Sequence, residues 1–96
     1  MAGRLIIIEG GDGSGKATQS ELLYRQLAAD HYPVRKIEFP NYQSPSSALV
    51  KMYLNGEFGE DPAMINPYAA AAFFAVDRFA SYQTDWGEFY RTGGIV

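Results

Sequence analysis

The sequence predicts a parallel α/β fold, one sheet flanked by helices, and three observations carry that prediction. Residues 5–8 are Leu, Ile, Ile and Ile. They are β-rich without alternation, as in a central strand covered on both faces. A glycine cluster and a helical pattern follow. A second β-rich stretch at residues 34–39 comes next, so strand, helix and strand run in βαβ order.

The elements are read in chain order. Residues 4–9 form the first strand. Residues 16–30 form a helix, with Leu23 and Leu27 four apart and Leu22 beside them, and Pro33 stops it. Residues 34–39 form the second strand, with Ile37 and Phe39 on one face. Ser44 and Pro45 read as a helix cap and first helical residue. That helix carries Ala48, Leu49, Met52 and Tyr53 on one stripe and ends near Gly56. Residues 57–65 form a polar loop. Asn66 and Pro67 repeat the cap-then-proline start and open a long helix to about Tyr90. It is apolar nearly all round, with alanines at 69–72 and then Phe73, Phe74, Val76 and Phe79, which predicts burial on several faces. Gly93 and Gly94 break it, and Ile95 and Val96 begin a third strand.

Composition narrows the function classes. The 96 residues suffice for one domain. Eight basic and 11 acidic residues give a net charge of -3, without the basic surplus or stripe of a nucleic-acid binder. With no cysteine, thiol catalysis, thiolate metal sites and disulfides are excluded, and the lone His31 cannot build a multi-histidine metal site. The apolar run 5–8 is too short for a signal peptide or membrane span, so a cytoplasmic protein fits best.

The chemistry begins at Gly10, Gly11, Asp12, Gly13, Ser14, Gly15 and Lys16, which match G-x-x-x-x-G-K between an apolar strand and a helix. Glycines let the backbone turn sharply and come close to phosphates. The loop N–H groups and the positive end of the next helix form an anion site. Lys16 neutralises the β- and γ-phosphates as a flexible point charge. The competing reading is a glycine-rich turn that holds a lysine by chance. One position departs from the pattern: Ala17 stands where a Ser or Thr hydroxyl would ligate Mg2+, and Thr18 follows one place later. The bland role of Thr18 is a hydroxyl bonding back to the backbone in the first helical turn.

Two further clusters suggest an acceptor side. Phe39, Pro40, Asn41 and Tyr42 lie where the second strand ends, and loops at the carboxyl ends of parallel strands bind ligands in α/β proteins. The plain alternative is a strand exit fixed by proline. Phe74 and Arg78 are four apart on the long helix and share a face, with Asp77 and Ser81 nearby. A ring beside a guanidinium suits a nucleobase, the ring stacking and the planar fork reaching an edge carbonyl. The alternative is a core phenylalanine next to an arginine that snorkels out.

With these motifs in order, residues 9–19, then 39–42, then 74–78, the chain resembles thymidylate kinase over essentially its whole length. The resemblance implies a P-loop NTPase fold of the nucleoside monophosphate kinase type and phosphoryl transfer from ATP to dTMP, with Mg2+ assisting. It implies that Lys16 and Asp12 are catalytic, and that residues 10–18, including Ala17 and Thr18, hold the donor phosphates. Asp12 would lie near the acceptor sugar and the metal. Phe39, Pro40 and Tyr42 would line the dTMP pocket, Phe74 would stack on thymine and Arg78 would bond its edge. Asp77 and Ser81 would at least orient the helix. A homodimer is implied for the full-length protein, with no nucleic-acid or membrane partner.

Some members carry an arginine in the loop directly after the aspartate, where this chain has Gly13. The resemblance then puts that arginine in a lid after Val96. On this reading residues 1–96 are the N-terminal part of a single kinase domain, cut at its third strand, with the lid and C-terminal part outside it. The third strand would normally lie between the first two, and without it they expose unpaired edges. The expectation is that residues 1–96 alone are not a stable active kinase. The competing functions are a related nucleoside monophosphate or deoxynucleoside kinase, and a non-catalytic nucleotide-binding module.

Overall fold

In a computed structural model of the chain, residues 1–11 and 13–96 are described. The chain divides into two compact units, Met1–Ile37 with Trp86–Val96, and Glu38–Asp85.

The first unit contains helix α1, Lys16–Ala29. Its interior is built from good helix formers, including Glu21, Leu22, Leu23, Arg25, Gln26 and Leu27. Glu21 and Arg25 add an ion pair one turn apart at 3.0 Å. The helix stops before Pro33. His31 sits at a left-handed φ of 66°. Its N–H donates to Ala28 O at 3.0 Å and the Tyr32 N–H to Leu27 O at 3.1 Å. Those two bonds are a Schellman motif, with histidine where glycine is usual.

Helix α4, Gly87–Arg91, ends on the same motif in its common form. Gly93 has φ 111°, its N–H bonds Tyr90 O at 3.2 Å, and the Gly94 N–H bonds Phe89 O at 2.9 Å. The reversed chain then runs close to its neighbours. A Cβ at Gly94 would strike the Phe89 ring, and one at Gly3 would strike the Gly94 carbonyl.

Ile95 emerges from this turn between two partners. It forms parallel bridges to both Arg4 and Val34. Arg4 N–H bonds Gly94 O at 3.2 Å, Ile6 N–H bonds Val96 O at 2.8 Å, and Val96 N–H returns to Arg4 O at 2.9 Å. On the other side Ile95 N–H bonds Pro33 O at 2.8 Å and Arg35 N–H bonds Ile95 O at 2.9 Å. The last segment thus lies between the first and second, the order that the resemblance implies.

The expected parallel sheet is nevertheless not shown. Among the described residues no segment is a strand, and residues 4–9 and 34–39 are joined to Ile95 only by isolated bridges. A ladder needs a run of residues on each partner, and the recorded pairing involves Gly94, Ile95 and Val96 alone. Residues 5–8 are accordingly exposed, Ile7 at 70%, rather than covered on both faces.

In the second unit, proline-led caps set the helix starts. Ser44 accepts from the Ser46 N–H and opens a 3-10 turn, Pro45–Ser47, that runs into α2, Ala48–Leu54. Helix α2 ends on a third Schellman motif, with Gly56 N–H to Tyr53 O at 3.1 Å and Glu57 N–H to Met52 O at 3.0 Å. A further 3-10 turn, Pro62–Met64, is capped by Asp61. Asn66 accepts from the N–H groups of Tyr68 and Ala69 and starts α3, Pro67–Ser81.

Two expectations about these helices are corrected. The long helix does not run unbroken to Tyr90: a π-helical turn at Tyr82–Trp86 separates α3 from α4. The Thr84 hydroxyl, bonded back to Ala80 O at 2.7 Å, accompanies that widening of the helix. Nor is α3 buried by its apolar residues. Phe79 and Val76 are exposed, whereas Asp77 at 1% and Ser81 at 4% are the buried positions. In α2 the fully buried residue is Val50, off the predicted stripe, while Leu49 is exposed. The apolar packing of this unit centres on rings: Tyr53 against Phe73 and Phe74, with centroids 6.4 and 6.3 Å apart, and Phe58 against Phe73 at 5.5 Å. No helix of the described residues is long and apolar enough to cross a membrane.

Candidate functional site

The glycine loop belongs to the first unit. The Ser14 N–H bonds Gly11 O at 3.2 Å and closes a turn. Gly13 and Gly15 have φ of 77° and 88°, in the left-handed region where a side chain is strained. Gly15 is the N-cap of α1 and supplies no side-chain cap; the first turn holds no acidic residue. Among the described residues nothing accepts from the N–H groups of Lys16, Ala17 and Thr18. Three donors at the positive end of a 14-residue helix are therefore open to an anion.

Lys16 completes the loop. Its Nζ donates to Gly10 O at 3.1 Å, so the ammonium lies against the loop while staying exposed. The chemistry of this donor set suits phosphate: N–H groups and one cation, with no carboxylate of the described residues competing. The fit to Mg2+ is poorer. The Ala17 side chain offers no oxygen, and among the described residues no group of three His, Cys, Asp or Glu could hold a metal. The expected back-bond of the Thr18 hydroxyl is not recorded; in this turn Ser20 Oγ bonds Ala17 O at 3.0 Å instead. Asp12, singled out for the catalytic, phosphate, dTMP and metal roles, lies outside the described residues.

The other residues assigned to the acceptor, Phe39, Pro40, Tyr42, Phe74 and Arg78, fall in the second unit. Phe39 and Pro40 are half-buried and Tyr42 is exposed. Phe74 is half-buried, edge-on to Tyr53. Arg78 is exposed one turn later, and its side chain makes no hydrogen bond or ion pair among the described residues. Loop and helix are tied together by a group the motifs ranked second. The Asp77 carboxylate accepts from the Asn41 N–H through Oδ2 at 2.8 Å and from Ser46 Oγ through Oδ1 at 2.8 Å. Ser46 Oγ in turn lies 2.8 Å from Ser44 Oγ. Ser46 was missed in the sequence; its one signal was a position next to a cap. A carboxylate in an apolar helix was the stronger signal, since burying it unpaired is costly.

The first unit holds one further charge cluster. Glu21 bonds Lys36 and Arg25, and these two, Lys36 foremost, hold its carboxyl below the usual carboxylate range. Arg35 stacks on Phe89 with 5.6 Å to the ring centroid.

Comparison with known proteins adds an independent finding. The family model described as thymidylate kinase matches residues 8–89. The thymidylate kinase of Mycobacterium tuberculosis is 38% identical over 84 residues, 86% of this chain and 38% of that protein. That of Schizosaccharomyces pombe is 31% identical over 81 residues, 84% of this chain and 36% of that protein. That of Plasmodium falciparum is 38% identical over 55 residues, 57% of this chain and 26% of that protein. The chain therefore spans less than two-fifths of the length of these relatives.

Proposed function

Given that the chain belongs to the thymidylate kinase family, we propose that it serves the transfer of the γ-phosphoryl group of ATP to dTMP. An oxygen of the acceptor phosphate attacks the γ-phosphorus. The bond to the β,γ-bridging oxygen breaks, and dTDP and ADP leave. The observation that carries this reading is the loop 10–16, with the Lys16 ammonium against it and an uncapped α1 behind it. Such a cradle holds the β- and γ-phosphates and offsets the charge that develops on them.

The residues divide the work by their chemistry. Residues 10–18, with Lys16 Nζ as their cation, hold the donor phosphates. Asp12 is assigned to the acceptor sugar in this reading. Phe74 stacks on the thymine, Arg78 donates to its edge, and Phe39, Pro40 and Tyr42 wall the pocket. Mg2+ would arrive on the ATP oxygens and neutralise phosphate charge, Asp12 being the one residue of this loop suited to hold it. The parallel sheet of a P-loop kinase, a cytoplasmic location and a homodimer of the full-length protein belong to the same reading.

ADP release with ATP and Mg2+ across dTMP, dUMP, UMP and CMP tests it. Turnover that prefers dTMP supports the kinase. The margin over dUMP will be modest, since one methyl contact is worth about 1–3 kcal/mol. Turnover that prefers UMP or CMP reassigns the acceptor. ATP binding without turnover on any acceptor leaves the chain a nucleotide-binding module.

A further inference from the structure

We propose that Asp77 is a positioning residue of the acceptor pocket, acting through hydrogen-bond geometry rather than through its charge; the inference rests on the dTMP-kinase reading above. Asp77 is 1% exposed, and its two oxygens are each used once. Oδ2 takes the backbone N–H of Asn41, the middle of the 39–42 loop, and Oδ1 takes Ser46 Oγ at the start of the 3-10 turn before α2. One side chain of α3 thus fixes two points of the segment that carries Phe39, Pro40 and Tyr42. It stands three residues after Phe74 and directly before Arg78. Whatever separation the pocket needs between its loop wall and its helix wall is set at this carboxylate. Exposed Tyr42 and Arg78 gain no comparable fixing from packing.

The bonding pattern predicts which substitution is tolerated. Asparagine at 77 can keep both contacts: its oxygen accepts from Asn41 N–H, and its amide donates to Ser46 Oγ. The Ser46 hydroxyl then turns its own proton toward Ser44 Oγ, 2.8 Å away, so the chain of bonds reverses without an orphan. Alanine at 77 leaves the Asn41 N–H unsatisfied and the loop untied.

The test is calorimetric titration of the full chain and its Asp77→Ala, Asp77→Asn and Ser46→Ala variants with dTMP, and separately with a non-hydrolysable ATP analogue. Asp77→Ala, which removes both hydrogen bonds to the carboxylate, is expected to weaken dTMP binding by about 10-fold or more. Asp77→Asn should recover affinity to within about threefold, and Ser46→Ala, which keeps the Asn41 bond, should lose roughly two- to fivefold. The ATP analogue should bind all four proteins alike. Equal dTMP affinity in all four, or an Asp77→Asn loss as large as that of Asp77→Ala, overturns the positioning role. So does parallel loss of dTMP and ATP-analogue binding, which would mark Asp77 as merely structural. If Asp77→Ala does not fold, Ser46→Ala decides: unchanged dTMP affinity overturns the inference. A parent chain that binds the ATP analogue but no dTMP removes the acceptor reading itself, and the inference with it.

Discussion

Lys16 Nζ donates to the carbonyl oxygen of Gly10 at 3.1 Å, so the loop is closed by its own cation. This contact is an exposed hydrogen bond to a neutral acceptor, whereas a phosphate oxygen carries charge of its own and attracts the ammonium more strongly. A phosphate therefore wins the lysine from the carbonyl. Lys16→Ala should weaken binding of a non-hydrolysable ATP analogue by about 10- to 100-fold, with little change in melting temperature. Unchanged affinity by calorimetry would mean that the loop does not grip phosphate.

Arg78 and Phe74 should separate binding from stability. Arg78 is exposed, so Arg78→Ala is expected to cost under about 0.5 kcal/mol of stability while weakening dTMP binding. Phe74 is half-buried and edge-on to Tyr53, so Phe74→Ala should lower both, with about 2–3 kcal/mol lost in denaturant unfolding. Equal effects of the two variants on dTMP binding and on stability would remove the distinction drawn between them.

His31 holds a left-handed φ of 66° at the end of α1, a conformation that costs a non-glycine residue about 1 kcal/mol. Since its side chain is exposed, His31→Gly should stabilise the chain by roughly 0.5–1 kcal/mol, read as a higher urea midpoint at unchanged m-value. A lower midpoint would show that the imidazole makes a contact worth more than the strain.

Glu21 sets a pH dependence whose sign is fixed. Lys36 first and Arg25 second favour its charged form in the fold, so its folded pKa lies below the unfolded value. The contribution is present at pH above the ordinary carboxylate value of 4.5 and is lost as pH falls through the lowered folded value. Glu21→Gln should remove that acid-side step while leaving stability above it nearly level. An acid profile identical in both proteins would deny the coupling.

Local chemistry was legible in the sequence and long-range pairing was not. Ser44–Pro45 and Asn66–Pro67 start helical turns as their cap-then-proline pattern requires, because the cap bonds involve only neighbouring residues. The glycine loop is legible for the same reason: its turn depends on φ at Gly13 and Gly15. Pro33 is the stop signal for α1 in the sequence, but a left-handed histidine has no strong sequence signal and comes first. Burial of Asp77 rather than Phe79 depends on Asn41 and Ser46, more than 30 positions away, which helical periodicity cannot see. Residues 5–8 read as a strand because their composition is β-rich, yet a strand exists only with its partner.

The bridges of Ile95 to Arg4 and Val34 have a consequence for synthesis on the ribosome. Both flanking segments are made before the one that joins them, and Ile95 comes 61 positions after Val34. At ordinary elongation rates that is a delay of roughly 3–12 s. Throughout it the Leu-Ile-Ile-Ile stretch leaves the exit tunnel with its backbone unsatisfied, a target for any chaperone that captures extended apolar chain. Unit 38–85 is complete in sequence before Ile95 is made and can form within that interval. Its completion precedes that of the segment made first.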